Sequence, residues 1–145
     1  MKSRLMNDED IAKVERLEKL CFSSPWSKDE IRATFFREDS IYCVAEKEGA
    51  VIAYAAFFFV LNEANVINVA VDPEYRRQGV AKKLMEFIFI QAAKQGVEKI
   101  ILEVRESNKP AIDLYTSFGF KNEGVRKNFY EKPAENGIVM ISTIC

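Results

Sequence analysis

Apolar and polar positions change period several times along this chain, and each change marks an element. Asn7 is a residue type that caps helix N-termini; behind it three acidic residues fill a first turn, and Ile11, Val14, Leu17 and Leu20 or Cys21 recur at helical spacing. The spacing predicts a helix to about residue 20. Pro25 breaks it, and Ser27 with Glu30 reads as a capping box that opens a second helix carrying Ile31, Thr34 and Phe35. Residues 41–46 and 51–61 are apolar runs of strand type around a Lys47-Glu48-Gly49 hairpin turn. A third strand, over about residues 65–71, follows a short Asn62-Glu63 turn and extends an antiparallel meander.

Beyond Gly79 the period is helical again, with Ala81, Leu84, Met85, Ile88 and Ala92 on one stripe and Gly96 as the stop. Residues 99–104 form a strand reached through this helical crossover, and so parallel to the strand before it. Asn108 and Pro110 open a shorter helix to about Phe118, closed by Gly119. Residues 120–125 and 138–144 are the last strands, and 126–137, with Tyr130, Pro133 and Gly137, reads as the one long loop. The pattern is that of an α/β fold: one domain over residues 1–145, with a mostly antiparallel sheet, one parallel pair and about four helices.

Composition narrows the chemistry. A net charge of −1 over 145 residues gives no overall nucleic-acid footprint, so attraction for anions has to be local. Histidine is absent, which excludes histidine metal sites, Ser-His-Asp triads and Cys-His pairs. A general base must therefore be a carboxylate, a tyrosine, a lysine or water. Cys21, Cys43 and Cys145 are widely spaced, with no C-x-x-C, so reduced thiols are expected and no metal; terminal Cys145 is the one candidate for reactivity. The longest apolar run, 51–61, is too short to span a bilayer, and no secretory signal opens the chain. A cytoplasmic protein without membrane or nucleic-acid partners is expected, as a monomer or weak dimer; the run 51–61 would pair with a second chain only if left at a sheet edge.

Residues 66–85 carry the strongest local signal. A strand ends at Asp72-Pro73, a basic loop follows, and Arg76, Arg77, Gln78, Gly79, Val80, Ala81 and Lys82 occupy the start of a helix. Unpaired N–H groups and the positive end of the helix dipole meet there, Gly79 allows close approach, and an arginine can fork onto phosphate oxygens. The loop is not a P-loop, since no Gly-Lys-Ser/Thr closes it, nor a dinucleotide fingerprint, since it has one glycine. A pyrophosphate-bearing ligand of another kind is implied, against the plainer reading of a solvated basic turn.

Two further positions stand out. Glu103 interrupts the apolar strand 99–104, where a carboxylate is partly shielded from water in the way a general base needs; the plainer alternative is an ion pair with Arg105. Asn108 and Tyr115 are two helical turns apart and share a face, offering an amide for a ligand and a phenol that can donate a proton, although a half-buried aromatic is the commoner role.

These residues coincide with known segments. Arg76-x-x-Gly79-x-Ala81, Leu102-Glu-Val-Arg-Glu-Ser-Asn108 and Ala111-Ile-Asp-Leu-Tyr-Thr-Ser-Phe-Gly-Phe120 resemble the motifs of the GCN5-related N-acetyltransferases. With Asn68-Val-Ala-Val-Asp-Pro73 and Ser24-Pro-Trp-Ser27 they resemble the branch of ribosomal-protein-alanine N-acetyltransferases, in the right order over essentially the whole chain. The resemblance implies that fold, with the parallel pair at the cofactor cleft, and acetyl-coenzyme A (acetyl-CoA) as cosubstrate without a metal. It places the general base on Glu103 and the general acid on Tyr115. Main-chain groups of Val69, Ala70 and Val71 would take the pantetheine arm and acetyl carbonyl, residues 76–82 the pyrophosphate, and Asn108 the pantetheine side. Trp26 and Tyr130 would wall the acceptor groove, with a plug between the first two helices as the equal alternative for Trp26. Two departures are Ala81 for a frequent glycine and Asn136-Gly137 where an acidic residue is common. The implied acceptor is the N-terminal amine of a ribosomal protein. Rival readings are acetylation of a small amine or a lysine side chain, and a non-enzymatic coenzyme A-binding module.

Overall fold

The computed structural model describes residues 1–144, so the expectation for Cys145 lies outside the described residues. Asn7 does cap the first helical segment: its side chain accepts from the Glu9 N–H at 3.0 Å, and its own N–H donates to Asp10 at 2.9 Å. The first turn, Asp8–Asp10, is of 3-10 form, and helix α1 proper is Ile11–Cys21. Its inward stripe buries Ile11, Val14 and Leu17, but Leu20 turns outward and Glu18 takes an inward place. Helix α2 (Lys28–Phe35) starts at the expected capping box of Ser27 and Glu30.

Among the described residues seven strands make one sheet: β1 (Lys2–Leu5), β2 (Ser40–Lys47), β3 (Ala50–Val60), β4 (Glu63–Val71), β5 (Lys99–Arg105), β6 (Lys121–Glu131) and β7 (Ala134–Thr143), in the order β1-β2-β3-β4-β5-β7-β6. Every pairing is antiparallel except β4 with β5, where the crossover predicts a parallel pair. The apolar run of β3 lies between β2 and β4, not at an edge.

Three expectations need correction. Strand β1 is missing from the sequence reading because four half-exposed residues carry too little alternation to register. The turn after β3 is one residue earlier than expected, at Leu61 and Asn62; Leu61 prolongs the apolar run but adopts φ 56° and is 91 % exposed. Most importantly, residues 126–137 are not a loop. They are the distal halves of β6 and β7, joined by a tight turn, and β6 is an edge strand so exposed and polar that it shows no buried face in sequence.

Helices α3 (Val80–Lys94) and α4 (Lys109–Ser117) cover one face of the sheet, and α1 with α2 covers the other. Leu84, Met85, Ile88 and Ala92 of α3 are sealed against Phe57, Ile100, Leu102 and Phe120. Burying each of the larger ones is worth about 1.5–3 kcal/mol. This packing fixes where α3 begins, and hence the loop before it.

The feature that positions the site is the brevity of the parallel junction. β4 and β5 pair only through residues 63–65 against 99–101, and beyond these they part. A bulge helps turn β4 away: Asn68 lies opposite Ala56 and Val66 opposite Phe57, which leaves Ile67 extra.

Candidate active site

Between the parted strands lies a cleft of about 600 Å³. The Asp72 N–H donates to the Ile52 carbonyl at 2.8 Å, so by strand alternation Asp72 and Ala70 turn their main-chain groups to β3. Val69 and Val71 turn theirs into the gap; of the three main-chain positions expected there, Ala70 is thus committed elsewhere. The Val71 carbonyl already accepts from Arg76 Nε at 3.2 Å and the Cys21 thiol at 3.3 Å. Arg76 thereby folds back on the strand, while Arg77, at φ 62°, is exposed.

The loop is anchored at its start by nearly buried Asp72, whose carboxylate accepts from the Glu74 N–H and from Arg16, each at 3.0 Å. The Glu74 hydrogen bond leads in holding this carboxyl below the usual aspartate range. At its end Gly79 adopts φ 77°, a left-handed conformation that favours glycine, and no side chain caps α3. The first-turn N–H groups of Val80, Ala81 and Lys82 therefore lack intrahelical partners. A Cβ on Gly79 would meet nothing within 4 Å, so the turn faces open space. Uncapped amides, a helix dipole and neighbouring cations make an anion cradle.

Glu103 and Tyr115 reach the cleft from opposite faces of the sheet. Ile100, Leu102 and Val104 point to α3 and α4, so Glu103, alternating with them, points to the α1 and α2 side, its side chain 23 % exposed. Its nearest cation is Arg126 at 3.8 Å and not Arg105, which pairs instead with Glu135 at 3.2 Å. Tyr115 lies on α4 with its ring edge-on to Phe120, 5.7 Å between centroids. Burial pushes its phenol up to about 12, with a smaller contribution from Tyr130. Asn108 is the N-cap of α4, accepting from the Ala111 N–H at 3.3 Å, and lines the cleft with Ala111 and Tyr115.

On the other side the wall is made by the α1–α2 turn and the tip of the β6–β7 hairpin. Trp26 unites its two alternatives: one part packs on the core beneath α1 and α2, another lines the cleft. Tyr130 is half-buried with the Arg105 guanidinium 4.4 Å above its ring, and burial followed by the Glu103 charge raises its phenol. β6 presents residues 127–129 as an irregularity opposite Asn136, which directs Phe129 onto Gly137 at 3.1 Å from where a Cβ would sit. The glycine found where an acidic residue is common thus makes room for an aromatic.

Sequence reasoning overlooked Glu18 and Asn68. Glu18 is fully buried and accepts three hydrogen bonds, from the Trp26 N–H at 2.8 Å, the Tyr54 hydroxyl at 2.5 Å and Asn68 Nδ2 at 3.1 Å. Burial raises its carboxyl, against the pull of those donors. The signals were available: Glu18 sits at stripe spacing between Val14 and Cys21, and Asn68 is the one polar residue between Val66 and Val71. Among the described residues no group of three or more Cys, Asp or Glu side chains is placed to hold a metal ion.

The sheet, parted at its parallel junction beside an anion cradle, leaves a cleft shaped to take a phosphate-bearing ligand along the split. The model of the acetyltransferase (GNAT) family matches residues 11–120, and the chain belongs to that family. It is an acetyl-CoA-dependent N-acetyltransferase. The chain is 35% identical over 142 residues to the putative [ribosomal protein bS18]-alanine N-acetyltransferase of Bacillus subtilis (strain 168), covering 97% of this chain and 94% of that one. It is also 35% identical over 133 residues to the [ribosomal protein bS18]-alanine N-acetyltransferase of Escherichia coli (strain K12), covering 90% and 89%. The crystal structure of the Escherichia coli ribosomal-protein-S18-alanine N-acetyltransferase superposes with a TM-score of 0.91 at 32% identity, over 99% of this chain and 93% of that one. The uncapped α3 terminus and the open space at Gly79 fit the pyrophosphate of acetyl-CoA.

Proposed function

We propose that this protein, as one domain over residues 1–145, transfers acetyl from acetyl-CoA to the α-amine of an N-terminal alanine on a ribosomal protein. It acts in the cytoplasm as a monomer or weak dimer, without nucleic acid or membrane. The observation that carries the chemistry is the arrival of Glu103 and Tyr115 in one cleft from opposite faces of the sheet. The acceptor rests on the likeness to the two enzymes named for alanine acetylation of bS18. The net charge of −1 agrees with a local rather than a global attraction for anions, and among the described residues no helix is long and apolar enough to cross a membrane.

The cosubstrate supplies an activated acetyl thioester. Residues 76–82 would hold its pyrophosphate, and Val69, Val71 and Asn108 its pantetheine arm. An α-amine has a pKa of about 7.7–8.0 and arrives partly as ammonium. Glu103 takes its proton, directly or through water, and restores the lone pair that attacks. A main-chain N–H turned into the gap from β4 polarises the carbonyl under attack. Tyr115, kept protonated by burial, gives its proton to the departing sulfur. Trp26 and Tyr130 flank the acceptor's first residues.

Turnover with peptides beginning Ala, Ser or Met and carrying one internal lysine tests this, with the acetylated nitrogen located by mass spectrometry. Acetyl on the α-amine of the alanine peptide is expected. Acetyl on lysine overturns the reading, because an amine of pKa about 10.4 calls for a different acceptor site.

A further inference from the structure

The mechanism leaves unused a fully buried carboxylate directly beneath the cleft. Glu18 bonds to three donors from three elements: the turn after α1 through the Trp26 N–H, β3 through the Tyr54 hydroxyl, and β4 through Asn68 Nδ2. All are donors, so the carboxylate works as an acceptor on every side. The consequence is felt at Asn68. An asparagine amide can turn over and exchange its oxygen for its NH2, but with Oδ1 turned down it would bring oxygen against oxygen at Glu18. Asn68 is therefore locked with its NH2 inward and Oδ1 outward.

Where Oδ1 goes follows from two facts. Among the described residues no hydrogen bond ends on it and no buried side-chain oxygen or nitrogen lacks a partner, so this oxygen is not buried. The open space beside Asn68 is the cleft that it lines. Asn68 also lies on the same face of the sheet as Glu103: Val69 and Val71 pack toward α3 and α4, while Ala70, and Asn68 two residues before it, face α1 and α2. A carbonyl oxygen and a carboxylate thus look into one space from the two parted strands. That pair accepts hydrogen bonds and offers none, the chemistry that receives an ammonium group.

We infer that Asn68 binds the acceptor's α-amine through Oδ1, opposite Glu103 across the split, and that Glu18 is the positioning residue that keeps this oxygen turned outward. The inference deepens the proposed function and rests on it. Glu18 never touches the acceptor; it acts through the amide above it. In Glu18→Gln the Trp26 N–H keeps the glutamine oxygen, so the new NH2 takes the place of Oε2. Asn68 then turns over, and an N–H replaces the acceptor in the cleft.

The test uses binding rather than turnover. In the presence of coenzyme A, which has no acetyl to transfer, dissociation constants are measured calorimetrically for an alanine peptide and for the same peptide with its amine replaced by hydrogen. Their ratio isolates the amine from the rest of the acceptor. A bond to a charged group predicts that wild type prefers the amino peptide by roughly ten- to hundredfold in excess of what Asn68→Ala retains. Glu18→Gln is expected to lose the same preference while binding the peptide lacking the amine, and coenzyme A itself, as wild type does. A merely structural role would weaken both peptides together and leave the ratio alone; that result, or an undiminished ratio in Asn68→Ala, overturns the inference. Failure of the underlying function is seen separately, as absence of α-acetylation in the turnover assay, and then the inference falls with it.

Discussion

Ser23, on the turn after α1, donates its hydroxyl to the carbonyl of Lys132 at the tip of the β6–β7 hairpin, 2.5 Å away and 109 residues on in sequence. It is a direct tie between the α1–α2 turn and the hairpin tip, the two walls of the side of the cleft proposed to take the acceptor. Ser23→Ala removes it without creating a cavity. The loss of one such bond is worth about 0.5–1.5 kcal/mol, so the KM for an acceptor peptide is expected to rise roughly two- to tenfold. The KM for acetyl-CoA stays constant, since the cradle is on the other side; steady-state kinetics with each substrate varied in turn makes the comparison.

Glu103→Gln keeps the shape of the cleft and removes the proposed base. A fall in kcat of roughly 10²–10⁴-fold is expected at neutral pH, with acetyl-CoA binding retained. The residual rate of the variant should climb with pH through about 7.7–8.0, as the acceptor amine loses its proton unaided. A variant with the wild-type rate at pH 7 would remove Glu103 from the mechanism.

Tyr115→Phe is expected to abolish turnover and leave coenzyme A binding intact. The same phenol also shapes stability. Tyr115 and Tyr42 are both pushed up to about 12 by burial, whereas an unfolded phenol titrates near 10. Below about pH 10 both states keep their protons and nothing changes. Above it the unfolded chain ionises first, so stability falls by about 1.4 kcal/mol per pH unit for each tyrosine until about pH 12. Urea unfolding at pH 9, 10 and 11 should show this decline, and Tyr115→Phe should make it shallower.

Gly79→Ala places a Cβ at φ 77° where it points into open space. The left-handed conformation costs an alanine about 1 kcal/mol or more, visible in the unfolding midpoint. Displacing one phosphate contact adds roughly tenfold or more to the KM for acetyl-CoA, with the peptide KM unaffected.

What could be read from the sequence divides by how strongly each residue's surroundings press on its neighbours in the chain. Helix starts at Asn7, Ser27 and Asn108 were legible because caps are local chemistry within a few residues. The parallel junction of β4 with β5 was legible because a crossover helix allows little else. The first half of β6 was legible as a strand, but its distal half from Arg126 was not: those residues are mostly exposed, so pairing to β7, and not their own composition, makes them a strand. At the site, Glu103 and Tyr115 were found as an anomaly in an apolar strand and a phenol on a shared helical face. The cation facing Glu103 could not be foreseen, since Arg126 arrives from the edge strand mistaken for a loop. Glu18 escaped notice because three partners from separate elements explain it, and only the fold collects them.

The cleft is a seam, opened by letting two strands part after three residue pairs, and not a hollow carved from the interior. Ser23, Phe129, Tyr130 and Lys132 at its rim belong to neither hydrophobic cluster, whereas Phe22 and Trp26 beside them pack against the one beneath α1 and α2. Under the proposed function, acceptor-side residues at the hairpin tip can therefore be exchanged with little penalty to the stability of the fold, whereas Trp26 cannot. Selectivity is the part of this molecule most open to redesign, whereas the half that holds the cosubstrate is tied to the packing of α3 and is not.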